Sequence, residues 1–193
     1  MLLRARTIAL FALLAAGPAF ADGDADEIKV SQQKFPDSDV PTNIVEGVVE
    51  APPADVWAFV SNCANYAKTM PRIVKSTELS RSGDEQSQWT VKCQVTAGLP
   101  FPLSDLTGIT LATHKVSPGV RYSREWTLVS GDYDINHGAW ILEGLDGGKK
   151  TYVTYKIRVK PKIKLPTSWI ASAQRGAMKD VILRLRENVK KPK

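Results

Sequence analysis

Residues 149–169, KKTYVTYKIRVKPKIKLPTSW, alternate between apolar and polar positions and then run into prolines. Thr151, Val153, Tyr155, Ile157 and Val159 fall on one face, and Tyr152, Thr154, Lys156, Arg158 and Lys160 on the other. A period of two held over this length predicts a strand with one dry face and one wet, basic face. Similar runs predict strands near 73–81, 86–97, 105–117, 120–130, 133–143 and 150–161. Their separators, among them Ser82-Gly83-Asp84, Pro118-Gly119, Ser130-Gly131-Asp132 and Asp146-Gly147-Gly148, carry turn chemistry. Separators this short imply antiparallel neighbours in a meander. The stretch 98–104, GLPFPLS, stands apart as a loop, with two prolines around Phe101.

Ahead of the meander, the β-branched run TNIVEGVVEA at 42–51 predicts a first strand, which Pro52 and Pro53 end. Pro53 suits the first turn of a helix over ADVWAFVSNCANYA, with Val56, Phe59, Val60 and Cys63 on one side. Residues 22–41 are polar, broken by Pro36 and Pro41, and predict a flexible N-terminal arm. At the other end, Pro166-Thr167-Ser168 opens a helix that no proline interrupts before Pro192. Ile170, Ala173, Ala177, Val181, Leu185 and Val189 form its apolar stripe, broadened by Met178 and Ile182. Such a helix spans ~36 Å, and its stripe needs a sheet to lie on. Strand, helix, six-strand meander and long helix make an α+β domain over 42–190, with no repeat and no second domain.

The first residues, MLLRARTIALFALLAAGPAFA, pair a short basic region (Arg4, Arg6) with an apolar core and an Ala19-Phe20-Ala21 site. This predicts a secretory signal peptide over 1–21, cleaved after Ala21, and hence an exported, periplasmic or secreted protein. The apolar stretch falls short of the ~20 residues of a membrane span. Loss of the leader removes two of the positive charges behind the formal +6, so the remaining excess is modest. That excess, in an exported chain, argues against a nucleic-acid partner. Cys63 and Cys93 are an even pair for which export permits a disulfide. Each also continues an apolar face, Cys63 after Val56 and Val60, Cys93 after Trp89 and Val91, where a buried thiol would serve equally. Two cysteines and two histidines, His114 and His137, show no metal-ligand spacing, and no cofactor motif is present.

Two stretches, VVEAPPADVWAFVSNCANYAKTMP and GAWILEGLDGGKKTYVTYKIRVKPKIKLPTSWI, resemble the START-like superfamily, which includes polyketide cyclases and coenzyme-Q-binding START proteins. In the first, the carriers are Ala51-Pro52-Pro53, Val56-Trp57 and Tyr66…Met70-Pro71. In the second, they are Gly138-x-Trp140, Thr151-x-Val153-x-Tyr155, Pro161 and Leu165-Pro166-x-x-Trp169. Neither is catalytic, so they speak for fold before function. The resemblance implies a helix-grip fold, a curved antiparallel sheet wrapped around a long C-terminal helix. Between them it implies an elongated cavity for a lipid, sterol, quinone or aromatic polyketide.

No hydrolase triad and no phosphate-binding glycine loop is recognisable. The candidates are isolated side chains on strands. Tyr122, Arg124, Trp126 and Leu128 share one face, and Tyr133, Ile135, His137 and Ile141 share one face of the next strand. If these faces point inward, Arg124 and His137 could grip a ligand's polar head. If outward, Arg124 lies in water and His137 is an ordinary strand-end histidine. The cavity wall is expected from Trp89, Val91, Trp126, Tyr155, Ile157, Met178, Val181 and Ile182. The basic row Lys156, Arg158, Lys160, Lys162 and Lys164 is a solvated face or a dock for anionic phospholipid. The expectation is a monomer that binds an apolar small molecule without catalysis. The alternatives are an aromatase or cyclase acting on a bound polyketide, against which export argues, and a module whose groove takes a partner's apolar segment.

Overall fold

The computed structural model describes residues 27–36, 38–163 and 167–190. The leader 1–21, its cleavage site, Lys164 and the helix-opening Pro166 lie outside them. Eight strands form one sheet: β1 Ile28–Phe35, β2 Ser38–Val49, β3 Ile73–Asp84, β4 Gln88–Ala97, β5 Leu106–Ser117, β6 Arg121–Gly131, β7 Tyr133–Leu145 and β8 Lys150–Pro161. Their order is β1-β2-β8-β7-β6-β5-β4-β3, and every neighbouring pair is antiparallel. β3 to β8 are the expected six-strand meander, and β8 closes back onto β2.

The N-terminal arm is a correction. Residues 28–35 form β1, and β2 begins at Ser38, inside the stretch expected to be loose. Ile28 and Val30 alternate with polar residues and pack against the core, which holds the strand to the sheet edge. Pro41 is tolerated because the β2–β8 ladder starts only at Asn43 and the β1–β2 register slips between Gln33 and Phe35.

The first helix is shorter than its apolar periodicity predicts. α1 covers Pro53–Val60, a 3-10 turn covers Cys63–Asn65, and α2 covers Tyr66–Thr69. Asn62, with φ −92° and ψ 83°, leaves helical geometry, while the Ser61 hydroxyl donates back to the Trp57 carbonyl at 2.7 Å. α3, Thr167–Val189, is the long terminal helix. It lies along β2 and β1, and Gln174 also donates to the Val159 carbonyl of β8 at 3.3 Å. Ile182 sits on Gly47, where a Cβ would come within 3.1 Å of its Cγ2. Gln174 accepts from Asn43 at 2.9 Å, Arg186 donates to the Val48 carbonyl at 2.9 Å, and Asn188 donates to the Thr69 carbonyl at 2.9 Å. These three bonds fix the helix along its length. Among the described residues, no helix is long and apolar enough to cross a membrane.

Antiparallel register sorts the inner face into transverse rows. One row sets Tyr122 opposite Leu142, Leu142 opposite Val153 and Val153 opposite Gly47. α1 packs over this end, with the Thr151 hydroxyl donating to the Ala51 carbonyl at 2.7 Å. Val45, Val49, Val56, Val60, Leu142, Val153, Ile182 and Leu185 are sealed from solvent here. Each such burial contributes about 1.5–3 kcal/mol before chain entropy is set against it. This end of the sandwich is solid core.

Candidate functional site

The next row carries different chemistry. Trp89 pairs with His114, His114 with Arg124, Arg124 with Trp140, Trp140 with Tyr155 and Tyr155 with Val45. Residues directly opposite in an antiparallel ladder point to the same face, so all six side chains are inward. The row after it sets Val91 opposite Ala112, Ala112 opposite Trp126, Trp126 opposite Gly138 and Gly138 opposite Ile157. Gly138 has no room for a side chain, since a Cβ would fall 2.4 Å from the Trp126 ring and 2.2 Å from the Lys156 carbonyl.

Arg124 is 3 % exposed. Among the described residues it makes no ion pair; its Nη2 lies 3.8 Å from Cys93 Sγ, and its Nε has no partner. Its guanidinium sits 5.1 Å from the Trp126 ring centre and 5.5 Å from that of Tyr66. Aromatic faces attract a cation but do not replace the hydrogen bonds it gave up on leaving water. An unpaired charge in a protein interior is expensive, so this arginine is a site of stored electrostatic demand.

The neighbours share that condition. His114 is fully buried, stacks on Trp89 at 4.7 Å, and neither ring nitrogen has a hydrogen-bond partner. Burial, then the field of Arg124, then that of Arg81 press its pKa down to about 3. The Ser61 backbone pulls weakly the other way, short of hydrogen-bonding geometry. At neutral pH His114 is therefore uncharged. The Trp89 indole N–H is likewise without a partner. Trp57 closes this corner, 6.0 Å from Trp89, 5.5 Å from His114 and 5.6 Å from Tyr122. Tyr66 caps Arg124 from above, its hydroxyl donating to the Val60 carbonyl. Burial raises the Tyr66 pKa against the opposing pull of Arg124.

Cys63 and Cys93 form a disulfide, with Cα atoms 6.4 Å apart. It ties the 3-10 turn to β4 and so holds Tyr66 over the arginine, settling the choice between bridge and buried thiols.

Toward the centre of the sheet the packing changes. Tyr155 stacks against Trp140 at 4.2 Å and Trp126 at 6.0 Å, yet it is only partly buried. Burial raises its phenol pKa, with a smaller upward push from Tyr66 and a downward pull from Arg124. Ile157 and Val159 continue the same face and are also only partly buried. These positions lie on β8, flanked by β2 and β7, where a sheet covered by a helix would bury them fully. α3 runs along β2 and β1, and its Gln174 also donates to the Val159 carbonyl at 3.3 Å. The partly buried inner face at Tyr155 and Ile157 is the candidate site, and Arg124 lies two strands away in the same inward row as Tyr155.

Of the residues expected from sequence, Trp89, Arg124, Trp126, Tyr155 and Ile157 come together here. Val91 is sealed core beside them. His137 is a correction: it pairs with Arg158 on the outer face, where burial and then Arg158 lower its pKa. Alternation from the inward Trp140 and Leu142 puts Ile135, His137 and Ile141 outward, and a bulge between Tyr133 and Ile135 returns Tyr133 alone to the inner face, breaking the common face that the sequence suggested. Met178, Val181 and Ile182 are also corrected, from cavity wall to packed core. The tight contact of Ile182 on Gly47 leaves no slack there. His114 was missed as a site residue, although Leu106, Gly108, Thr110, Ala112 and His114 alternate as one buried face.

The basic row is partly occupied. Lys160 pairs with Asp39 at 3.4 Å, Lys162 donates to the Gly131 carbonyl at 3.1 Å, and Arg158 lies 4.6 Å over the Phe35 ring. Phe101, in the loop between β4 and β5, is 97 % exposed.

Residues 49–186 match the family model described as polyketide cyclase/dehydrase and lipid transport. A search of curated proteins finds no sequence match. Among solved structures, the chain is similar to a STAR-related lipid transfer protein from Xanthomonas axonopodis, with a TM-score of 0.72 and 17 % identity over 88 % of this chain and 97 % of that one. It is similar to human StAR-related lipid transfer protein 5, with a TM-score of 0.70 and 16 % identity over 87 % and 84 % of the two chains. It is also similar to the Zhui aromatase/cyclase from a Streptomyces species, with a TM-score of 0.51 and 16 % identity over 77 % and 91 %. At these identities the likeness is one of fold.

Proposed function

This chain belongs to the polyketide cyclase/dehydrase and lipid transport family, and from that premise we propose that it binds a hydrophobic small molecule, a lipid, without transforming it. The observation that carries the reading is the incomplete burial of Tyr155 and Ile157 on the inner face of an interior strand. An apolar wall left partly open beside a fixed helix is what a non-covalent apolar ligand requires. The groups that could move protons are badly tuned for it. His114, at about 3, is too weak a base near neutrality, and burial holds the Tyr155 phenol above its ordinary range. Both considerations favour binding over the cyclase alternative.

In this reading the protein is exported after cleavage following Ala21. It exchanges its ligand at a membrane surface through Phe101 and the basic outer face of β8. Native mass spectrometry of the protein purified from its own cell envelope tests the reading. A retained lipid is expected; an empty protein that also takes up no lipid, sterol or quinone would refute it, and turnover of a bound polyketide would favour the enzyme.

A further inference from the structure

The ligand-binding reading leaves the buried charge unexplained. Arg124 is 3 % exposed, has no carboxylate partner among the described residues, and keeps an unpaired Nε. In the same transverse row, the Trp89 indole and the His114 ring have buried nitrogens without a well-formed hydrogen bond among the described residues. Three unsatisfied polar side chains in one corner of an apolar interior indicate a missing polar partner. We propose that this partner is the carboxylate of a long-chain monocarboxylic acid, held by Arg124 in the inward row it shares with Tyr155.

The sign and number of charges come first. His114 is neutral, so the corner carries the single positive charge of Arg124, which a monoanion cancels. A guanidinium takes a carboxylate through two parallel N–H bonds, the strongest pairing open to it in a dry site. Shape then separates a carboxylate from a phosphodiester, the other common lipid monoanion. A phosphodiester continues on both sides of its phosphorus and needs room beyond the arginine. Here Trp57 stands 5.5 Å from His114 and 6.0 Å from Trp89, and Tyr66 covers the guanidinium. A group that ends the molecule fits this corner. The apolar chain then runs back along Tyr155 and Ile157, which are partly buried and of matching character.

The inference rests on the ligand-binding reading, and the test separates the two. The full mature protein is stripped of bound lipid and titrated calorimetrically with oleate, with methyl oleate, and with vesicles of phosphatidylglycerol. Oleate is expected to bind at least about tenfold more tightly than its ester, equivalent to about 1.4 kcal/mol. Arg124→Met should abolish the preference, bringing acid and ester to similar affinity. Its melting temperature should hold or rise, because an unpaired buried charge has been replaced by an apolar side chain. Equal affinity for acid and ester in the unaltered protein would overturn the inference while leaving apolar binding intact, and this comparison needs no variant to fold. Preferential extraction of phosphatidylglycerol, or an acid preference that survives Arg124→Met, would overturn it equally. Failure to bind the acid, the ester, a sterol or a quinone would remove the underlying reading and the inference with it.

Discussion

A tryptophan placed at either of two inner-face isoleucines distinguishes open wall from packed core. Ile182 on α3 is sealed from solvent and lies against Gly47, where even a Cβ would approach to 3.1 Å. Added bulk there has nowhere to go. Overpacking of this kind costs about 1–3 kcal/mol, and for a domain of this size each kcal/mol lowers the melting temperature by about 2–4 °C. Ile182→Trp is therefore expected to melt about 4–12 °C below the unaltered protein, taking the upper part of that range because Gly47 is backbone and cannot yield. Ile157 is the contrasting case, only partly buried, with open space beside it on the inner face of β8. An indole there can project into that space, so Ile157→Trp should melt within a few degrees of the parent and lose binding of a fluorescent fatty acid. Thermal melts and probe titration on both variants form the assay. If the two substitutions lower the melting temperature alike, or Ile157→Trp leaves binding whole, then the centre of the sheet is packed core and the site is misplaced.

Three further outcomes can be checked independently. Replacing both Cys63 and Cys93 with alanine opens a loop with a sequence separation of 30 and should cost about 3–4 kcal/mol in denaturant unfolding, while the unaltered protein should show no titratable thiol when denatured. His114 has a folded pKa of about 3 against an ordinary 6.5, so between those values the unfolded chain takes up a proton that the folded one refuses. Stability present above pH 6.5 should thus fall on acidification, by up to about 1.4 kcal/mol per pH unit from this group, and His114→Phe should flatten the slope. Intact-mass measurement on protein from the native host should place the first residue at Asp22; a retained Met1 would remove the argument for export.

Much of the fold was legible because alternation and turn chemistry are local. The six strands from β3 to β8 lie close to where period-two runs and their glycine or proline separators put them. What escaped depended on partners distant in the chain. Ile28 and Val30 are only two apolar residues in a polar stretch, and they make a strand because β2 offers them an edge and the core takes their side chains. The helix after Pro53 stopped early because Asn62 leaves helical geometry, although the apolar spacing runs on to Cys63. Periodicity records which positions are apolar, not where a backbone turn interrupts them.

The site was less legible, for a reason that register makes concrete. Alternation divides a strand into two faces but does not say which is inside. On β8 the answer is visible, since Lys156, Arg158 and Lys160 cannot share the dry face with Tyr155 and Ile157. On β6 it is not, because Arg124 sits among Tyr122 and Trp126, a set that suits water or core. The ladder carries the assignment across: Tyr155 faces Trp140, Trp140 faces Arg124, and Arg124 faces His114. Once the first of these is inward, so are the rest, including an arginine and a histidine that no local pattern would bury. The same ladder, one bulge away, excludes His137. A charged residue forced inward by its neighbours' register, and left there without a counter-charge among the described residues, is therefore a feature of the assembled sheet. Its demand for an anion becomes visible only when the strands are placed side by side.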